Sequence, residues 1–178
     1  MSTKVIIPCR LSYTNVWEPR ADQSGRLKYS CSLIIPKSDT KTIQAIEAAI
    51  EEAIDSNLGK FNGKRPKTSA IKTPLRDGDT ERDDEAYADS MFLNASTTTA
   101  PQIVDARVQP ILDKEDVYSG CYANVSVNFY AFSVDGNRGI AAGLGNIQKV
   151  RDGDRIDGRV SAENEFSAIE ADEDDFLG

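Results

Sequence analysis

The sequence contains no histidine, and that gap excludes a good deal of chemistry. Neither a Ser-His-Asp nor a Cys-His nucleophile can be assembled, and no zinc or iron centre can be held by imidazole. Cysteine is nearly as scarce. Cys9, Cys31 and Cys121 are too few and too far apart for a thiolate zinc site, and their odd number does not suggest a disulfide framework. Cys31 and Cys121 fall inside alternating apolar runs, so they read as small core residues in a reducing compartment. No apolar run approaches membrane-spanning length, and the start (Met1, Ser2, Thr3, Lys4) lacks the apolar stretch of a secretory leader. The expectation is a soluble intracellular protein with no metal, no cofactor and no membrane partner. Asn94, Ala95 and Ser96 fit a glycosylation sequon, which carries no weight without secretion.

Positive charge is also in deficit. The chain has 21 Lys and Arg against 29 Asp and Glu, a formal charge of −8 and a pI near 4.6, which at first sight argues against a polyanionic partner. The deficit is local. Residues 161–178 hold seven acids (Glu163, Glu165, Glu170, Asp172, Glu173, Asp174 and Asp175) and no base, which leaves 22 acids against 21 bases over 1–160. The sequence thus predicts a near-neutral domain over 1–160, ample for a sizeable core, and a disordered acidic tail over 161–178.

What is present is mostly strand alternation. Over 4–13, Val5, Ile7, Cys9, Leu11 and Tyr13 share one face and Lys4, Arg10 and Ser12 the other, with Pro8 suggesting an edge or a bulge. Residues 14–25 are turn-rich and read as a loop. Over 26–35, Leu27, Tyr29, Cys31, Leu33 and Ile35 point inward and Arg26, Lys28, Ser30 and Ser32 outward, until Pro36 ends the strand. Ser38 or Asp39 caps a helix whose Ile43, Ile46, Ile50 and Ile54 form a stripe, and Asn57 and Gly59 stop it. Residues 56–76 carry six bases and no acid, residues 77–89 seven acids against Arg82, and both read as exposed loops. Shorter strands are predicted over Met91–Ala95 and Gln102–Val108. The longest covers 120–134, and Asp135, Gly136 and Asn137 turn it into a second run over Arg138–Val150, bent and bulged by Gly139, Gly143 and Gly145. The predicted class is mainly β, a small barrel or strongly curled sheet with one capping helix.

The 120–134 strand carries the sharpest functional signal. Cys121, Ala123, Val125, Val127, Phe129 and Ala131 occupy one parity, all apolar, while Tyr122, Asn124, Ser126, Asn128, Tyr130 and Phe132 occupy the other. Exposed aromatics spaced by amides are what base stacking and base-edge contact require. The competing explanation is that a second layer or a partner subunit covers the rings, because exposed aromatic patches also mark protein interfaces. Trp17 is a further stacking candidate, with a core or lid position as its alternative. Arg10, Arg26 and Lys28 on strand faces, and Lys64, Arg65, Lys67 and Lys72 in the basic loop, are the candidates for tracking phosphates; otherwise that loop is simply solvated. Residues 143–148 begin like a dinucleotide fingerprint but lack the third glycine and the following helix. Residues 77–81 begin like a calcium loop, but Arg82 stands where the turn glycine must be. The acidic end closes with Asp172, Glu173, Asp174, Asp175, Phe176 and Leu177. It reads as a mimic of nucleic acid that competes for a basic groove, with Phe176 giving a partner something specific to grip; a purely solubilising extension is the plainer alternative.

The stretches YSCSLIIPKSD (29–39), TPLRDGD (73–79), GCYANVSVNFYAF (120–132) and GNRGIAAGLGNIQKVRDGDRIDGR (136–159), with the acidic end, resemble a family of tailed-bacteriophage single-stranded DNA-binding proteins once known only as a domain of unknown function. The resemblance covers nearly the whole chain. It implies an OB-fold, a five-stranded barrel with a helix, that holds single-stranded DNA in a sheet-and-loop groove. It also implies a role in phage replication or recombination, in the cytoplasm of the infected bacterium. The end is similar, more distantly, to podophage replication proteins whose acidic, aromatic-tipped tail recruits polymerase and helicase-primase.

The leading expectation is a non-enzymatic, sequence-tolerant single-stranded DNA-binding protein, a homo-oligomer with a dimer favoured. Tyr122, Tyr130, Phe132 and Trp17 would stack bases, Asn124 and Asn128 would contact their edges, and the tail would regulate and recruit. The rival is an assembly protein whose aromatic face is a subunit interface. A metal-dependent nuclease has only the acids of 77–89 in its favour.

Overall fold

The computed structural model describes residues 2–67, 70–156 and 169. In chain order its strands are β1 (Lys4–Ala21), β2 (Leu27–Pro36), β3 (Arg76–Asp77), β4 (Ser90–Thr97), β5 (Ile103–Val104), β6 (Tyr122–Val134) and β7 (Asn137–Arg151). Helix α1 (Thr40–Asp55) lies between β2 and β3, and the single turn α2 (Gly78–Glu81) follows β3. β1 pairs antiparallel with β2 and β6, β2 with β4, and β6 with β7. A short parallel pairing, Ala95 with Ala142 and Ser96 with Gly143, joins β4 to β7. The circuit β1-β2-β4-β7-β6 is therefore a closed five-stranded barrel of OB-fold type, with β3 and β5 as short additions.

Period-two alternation dictates what fills it. Ile7, Cys9 and Leu11 of β1, Cys31, Leu33 and Ile35 of β2, and Ala123, Val125, Val127, Phe129 and Ala131 of β6 are all buried in one cluster. Burial pushes the Cys9 thiol up and the Cys31 thiol to about 12, so both remain protonated packing groups. Asp39 caps α1, accepting from the Thr42 amide at 3.3 Å and its hydroxyl at 2.7 Å. Ile46, Ile50 and Ile54 then enter the same cluster, at about 1.5–3 kcal/mol of gross burial each. Between β6 and β7 the register slips: Val125 faces Ile147 but Val127 faces Leu144. The extra β7 residue is a bulge at Gly145–Asn146 that helps bend the strand to closure, as the glycines predict.

Several expectations fail. Of residues 14–25 only 22–25 turn the chain, since β1 continues to Ala21 and, with two register shifts, forms a long hairpin arm with β2. Pro8, by contrast, faces Asn124 of β6 on one side, while the pairing of β1 with β2 on the other begins only at Arg10, so the proline stands where the strand is locally an edge, as expected. Tyr13 turns outward, 56% exposed, because its left-handed φ of 48° at the first shift inverts the alternation. Leu27, paired with Ala21 near the tip of the arm, is 59% exposed. The predicted strand over 102–108 shrinks to two residues, and Asp105 turns the chain by accepting from the Arg107 and Gln109 amides. Residues 77–89 are not wholly exposed either. Tyr87 is fully buried and, with Phe92, covers Ile34 on the outer face of β2 as a second small core.

Candidate functional site

The outward parity of β6 faces solvent between β1 and β7, as the alternation predicts. Asn128 and Tyr130 are exposed and Asn124, Ser126 and Phe132 half-buried. Tyr130 is 41% exposed, and its ring lies against Gly143 of β7, close to where a side chain would stand. Phe132 pairs with Gly139 and Ser126 bonds the Asn146 amide at 2.7 Å. Gly143 and Gly145 of β7 thus leave room for Tyr130 and Ser126 of β6, whereas Gly139 makes room for the Lys72 backbone. The amides are partly engaged: Asn124 donates to Gln148 at 3.1 Å, and Asn128 accepts from the Thr3 hydroxyl at 2.9 Å.

Tyr122, at the other end of the strand, is held differently. The Arg151 guanidinium stacks 3.8 Å from its ring centroid and Arg10 stands at 5.6 Å. Residues 152–156 leave β7 and cross the outer face of the barrel as a strap. Arg10 donates to the Gly120 carbonyl at 3.1 Å and the Asp154 carbonyl at 2.6 Å. Tyr118 bonds Asp152 and the Gly153 backbone, the Ile156 amide reaches Ser119, and the Ile156 side chain packs on the Ile34, Tyr87 and Phe92 cluster. The Lys149 ammonium and the Tyr118 hydroxyl hold the Asp152 carboxyl below its usual range. Arg10 and Tyr122 therefore serve as fasteners for this strap.

The two RDGD segments, which suggest no chemistry in the sequence, are both structural clasps. In the first, Asp77 caps α2, Asp79 accepts the Asp89 amide, and Lys37 bridges the two carboxylates at 2.8 and 2.7 Å. Gly78 abuts the Tyr87 and Ser90 carbonyls, which leave no room for a Cβ. In the second, Gly153 sits equally tightly against the Gly120 carbonyl and the Tyr122 ring.

The remaining candidates disperse. Arg26 and Lys28 sit at the tip of the β1–β2 arm, where Lys28 lies 3.7 Å from Asp22. Lys64 and Lys67 are exposed, but Arg65 is committed to Glu51 and Asp55 of α1. Lys72 is tied by its backbone to Arg138 and Ile140 beside the β6–β7 turn. Trp17 packs partly buried on the main core, with its indole N–H buried and unpartnered among the described residues. Asp172, Glu173, Asp174, Asp175 and Phe176 lie outside the described residues, as does most of the proposed tail.

Sequence reasoning misses one constellation. Arg82 reaches from the 77–89 segment to donate to the Tyr13 hydroxyl at 2.5 Å, with its guanidinium 5.0 Å from that ring, 4.6 Å from Tyr87 and 5.9 Å from Phe92. Ser30, Ser32 and Asn94 line the hollow beside it. The available signal was Arg82 itself, a lone base among seven acids. Among the described residues no helix is long and apolar enough to cross a membrane, and no cluster of three acids or cysteines could hold a metal ion.

Comparison with known proteins accords with this architecture. The family model described as Enterobacter phage Enc34, ssDNA-binding protein, matches residues 3–177. The p50 protein of Acyrthosiphon pisum secondary endosymbiont phage 1 is 33% identical over 175 residues, 94% of either chain. The single-stranded DNA-binding protein from bacteriophage Enc34, solved in complex with ssDNA, superposes with a TM-score of 0.75 at 22% identity, covering 87% of this chain and 88% of that one. The gp2.5 protein of bacteriophage T7, a single-stranded DNA-binding protein, superposes with a TM-score of 0.58 at 15% identity over 93% of this chain and 100% of its own.

Proposed function

Because this chain belongs to the family of the Enterobacter phage Enc34 ssDNA-binding protein, we propose that it binds single-stranded DNA without strong sequence preference and without catalysis. The observation that carries this reading is the outer face of β6, where exposed Tyr130 lies against Gly143 and half-buried Phe132 follows, with Asn124 and Asn128 alongside. Ring faces accept any base and amides accept any edge, so such a surface is indifferent to sequence. OB barrels receive oligonucleotides across their second and third strands, here β2 and β4, and the loops that join strands one to two and four to five, the latter at the end of the β6 row. Here those loops are the β1–β2 tip, carrying Arg26 and Lys28, and the β6–β7 turn, beside Lys72.

The DNA-binding body is residues 1–160, and residues 161–178 form an acidic tail that competes for the groove and recruits partners through Phe176. The protein acts in phage replication or recombination in the host cytoplasm, as a homo-oligomer with a dimer favoured. A second reading, an assembly protein whose aromatic face is a subunit contact, draws on the exposure of Tyr130 and of Ile6, the latter 70% exposed on β1.

Titration of the full chain with oligo-dT at two salt concentrations tests the proposal. Saturable binding that weakens with salt, by a log–log slope of about −0.7 per phosphate contacted, is the expected result. A chain lacking 161–178 should bind more tightly. Absence of oligo-dT binding at 50 mM salt would overturn the function, and unchanged affinity on truncation would overturn the competing tail.

A further inference from the structure

We infer that the end of the chain, Asp174–Gly178, adds as a short antiparallel strand to the open edge of β1, with Phe176 opposite Ile6. The inference rests on the tail proposed above and gives its tip a seat away from the face that takes oligonucleotide.

The edge follows from the pairing. β1 pairs with β6 from Lys4 onward, but its pairing with β2 begins only at Arg10. The Leu11 amide bonds the Cys121 carbonyl and the Phe129 amide bonds the Thr3 carbonyl, so odd-numbered residues here turn their backbone groups to β6. Lys4, Ile6 and Pro8 turn theirs the other way, into the place that β2 leaves when it departs for α1. Pro8 brings no N–H, and the Lys4 amide is taken by the Ser2 hydroxyl at 3.0 Å. What remains is the N–H of Ile6 and the carbonyls of Lys4, Ile6 and Pro8, with no strand partner among the described residues. Two hollows lie along this edge. One, of about 500 Å³, is lined by Lys4, Val5 and Ile6 and by Ala45, Ala48 and Ala49 of α1. The other, of about 410 Å³, is lined by Pro8, Arg10, Ile34, Pro36, Tyr122 and Arg151 among others. Spare backbone groups beside an apolar channel are what strand addition by an extended peptide requires. A nucleic acid has no amides to pair with them.

The chain's own end has the matching chemistry. With Phe176 opposite Ile6, Leu177 falls opposite Val5, so both apolar side chains of the tip meet the apolar hollow. Ile6 and Phe176 then exchange two bonds, and the Lys4 and Pro8 carbonyls accept from the Gly178 and Asp174 amides, which uses every free group. Upstream, Asp172 and Glu173 come off where β2 takes over the pairing, beside Arg10 and Arg151. Neither arginine has an ion pair among the described residues. Asp39, the acid on that wall, is engaged as the cap of α1. The reach is short. Ile156 packs on Ile34, which itself lines the second hollow, so the chain sets out beside the groove. A coil as long as residues 157–171 spans about 20 Å, against about 13 Å along β1 from Arg10 to Ile6.

The test is disulfide trapping in the full chain, whose native cysteines are all buried, under oxidised glutathione. Lys4→Cys with Gly178→Cys keeps Ile6 and Phe176 in place. Leu112→Cys with Gly178→Cys is the control, because Leu112 is 92% exposed and lines neither hollow. The first pair should close an intramolecular disulfide about tenfold or more faster than the second, since a seated tip raises the local concentration, and adding Phe176→Ala to both should abolish the difference. Equal rates, or a disulfide formed chiefly between copies, would overturn the seat. Amide exchange needs no cysteine: Ile6 should exchange about tenfold or more faster in Phe176→Ala than in wild type, and an unchanged rate refutes the pairing. Competition between tail and DNA is read separately. Tighter oligo-dT binding on truncation with equal trapping rates refutes the seat alone, whereas preferred trapping with unchanged affinity supports the seat and overturns the competition.

Discussion

Replacing Gly153 with alanine should unfasten residues 152–156 from the barrel. The added Cβ would stand 2.2 Å from the Gly120 carbonyl oxygen and 2.7 Å from a Tyr122 ring carbon. The first obstacle is backbone, and the second is pinned by Arg10 and Arg151, so neither yields cheaply. Relief comes by lifting the strap. That movement breaks the Arg10 bond to Asp154, the Tyr118 bonds to Gly153 and the Ile156 bond to Ser119, each about 0.5–1.5 kcal/mol. It also withdraws half-buried Ile156 from the Ile34, Tyr87 and Phe92 cluster, about 1 kcal/mol more. Partial relaxation offsets some of this, leaving about 2–4 kcal/mol. For a chain of this size that corresponds to a fall in Tm of roughly 4–16 °C. Gly59→Ala is the control, because open space surrounds its Cβ position. Differential scanning calorimetry of the two variants decides the matter: if Gly153→Ala melts with the control, the strap is not clasped as described.

Tyr130→Ala should weaken oligo-dT binding about 5- to 100-fold with little change in Tm, since the ring is already 41% exposed; loss of a dimer in sedimentation with DNA affinity retained favours the subunit-interface reading instead. Tyr87→Phe removes a buried hydroxyl from Ser32 and should cost about 1–2 kcal/mol, and in a denaturant melt Tyr87→Phe with Ser32→Ala should cost less than the sum of the two. The bonds from Lys37 hold the Asp77 and Asp79 carboxyls below their usual 3.8. Their folded values being the lower, they stabilise the fold above about pH 4, and that contribution disappears as pH falls through those values. Lys37→Met should therefore melt below wild type at pH 7 and converge with it as pH falls through the lowered carboxyl values; a constant gap counts against the clasp.

Local periodicity carried the sequence reading where one face of an element meets one environment. The stripe from Ile43 to Ile54 and the alternation from Cys121 to Ala131 are both placed as written, and the OB barrel agrees with the family resemblance. It failed where tertiary contacts override the period. Tyr13 reads as inward because four alternating apolar residues precede it, and a single left-handed φ reverses that. Tyr87 sits in a run of acids and reads as solvated, yet burying it against Ile34 requires only that the acids point the other way. Charge shows the same division. The sequence by itself shows that the deficit of bases belongs to the last eighteen residues, because charge is a sum over side chains and needs no coordinates. Which bases remain available is a matter of geometry. Arg65 and Arg10 are committed to α1 and to the strap, while Arg82 keeps donors to spare, because a guanidinium is claimed only by what the fold brings within a few ångströms of it.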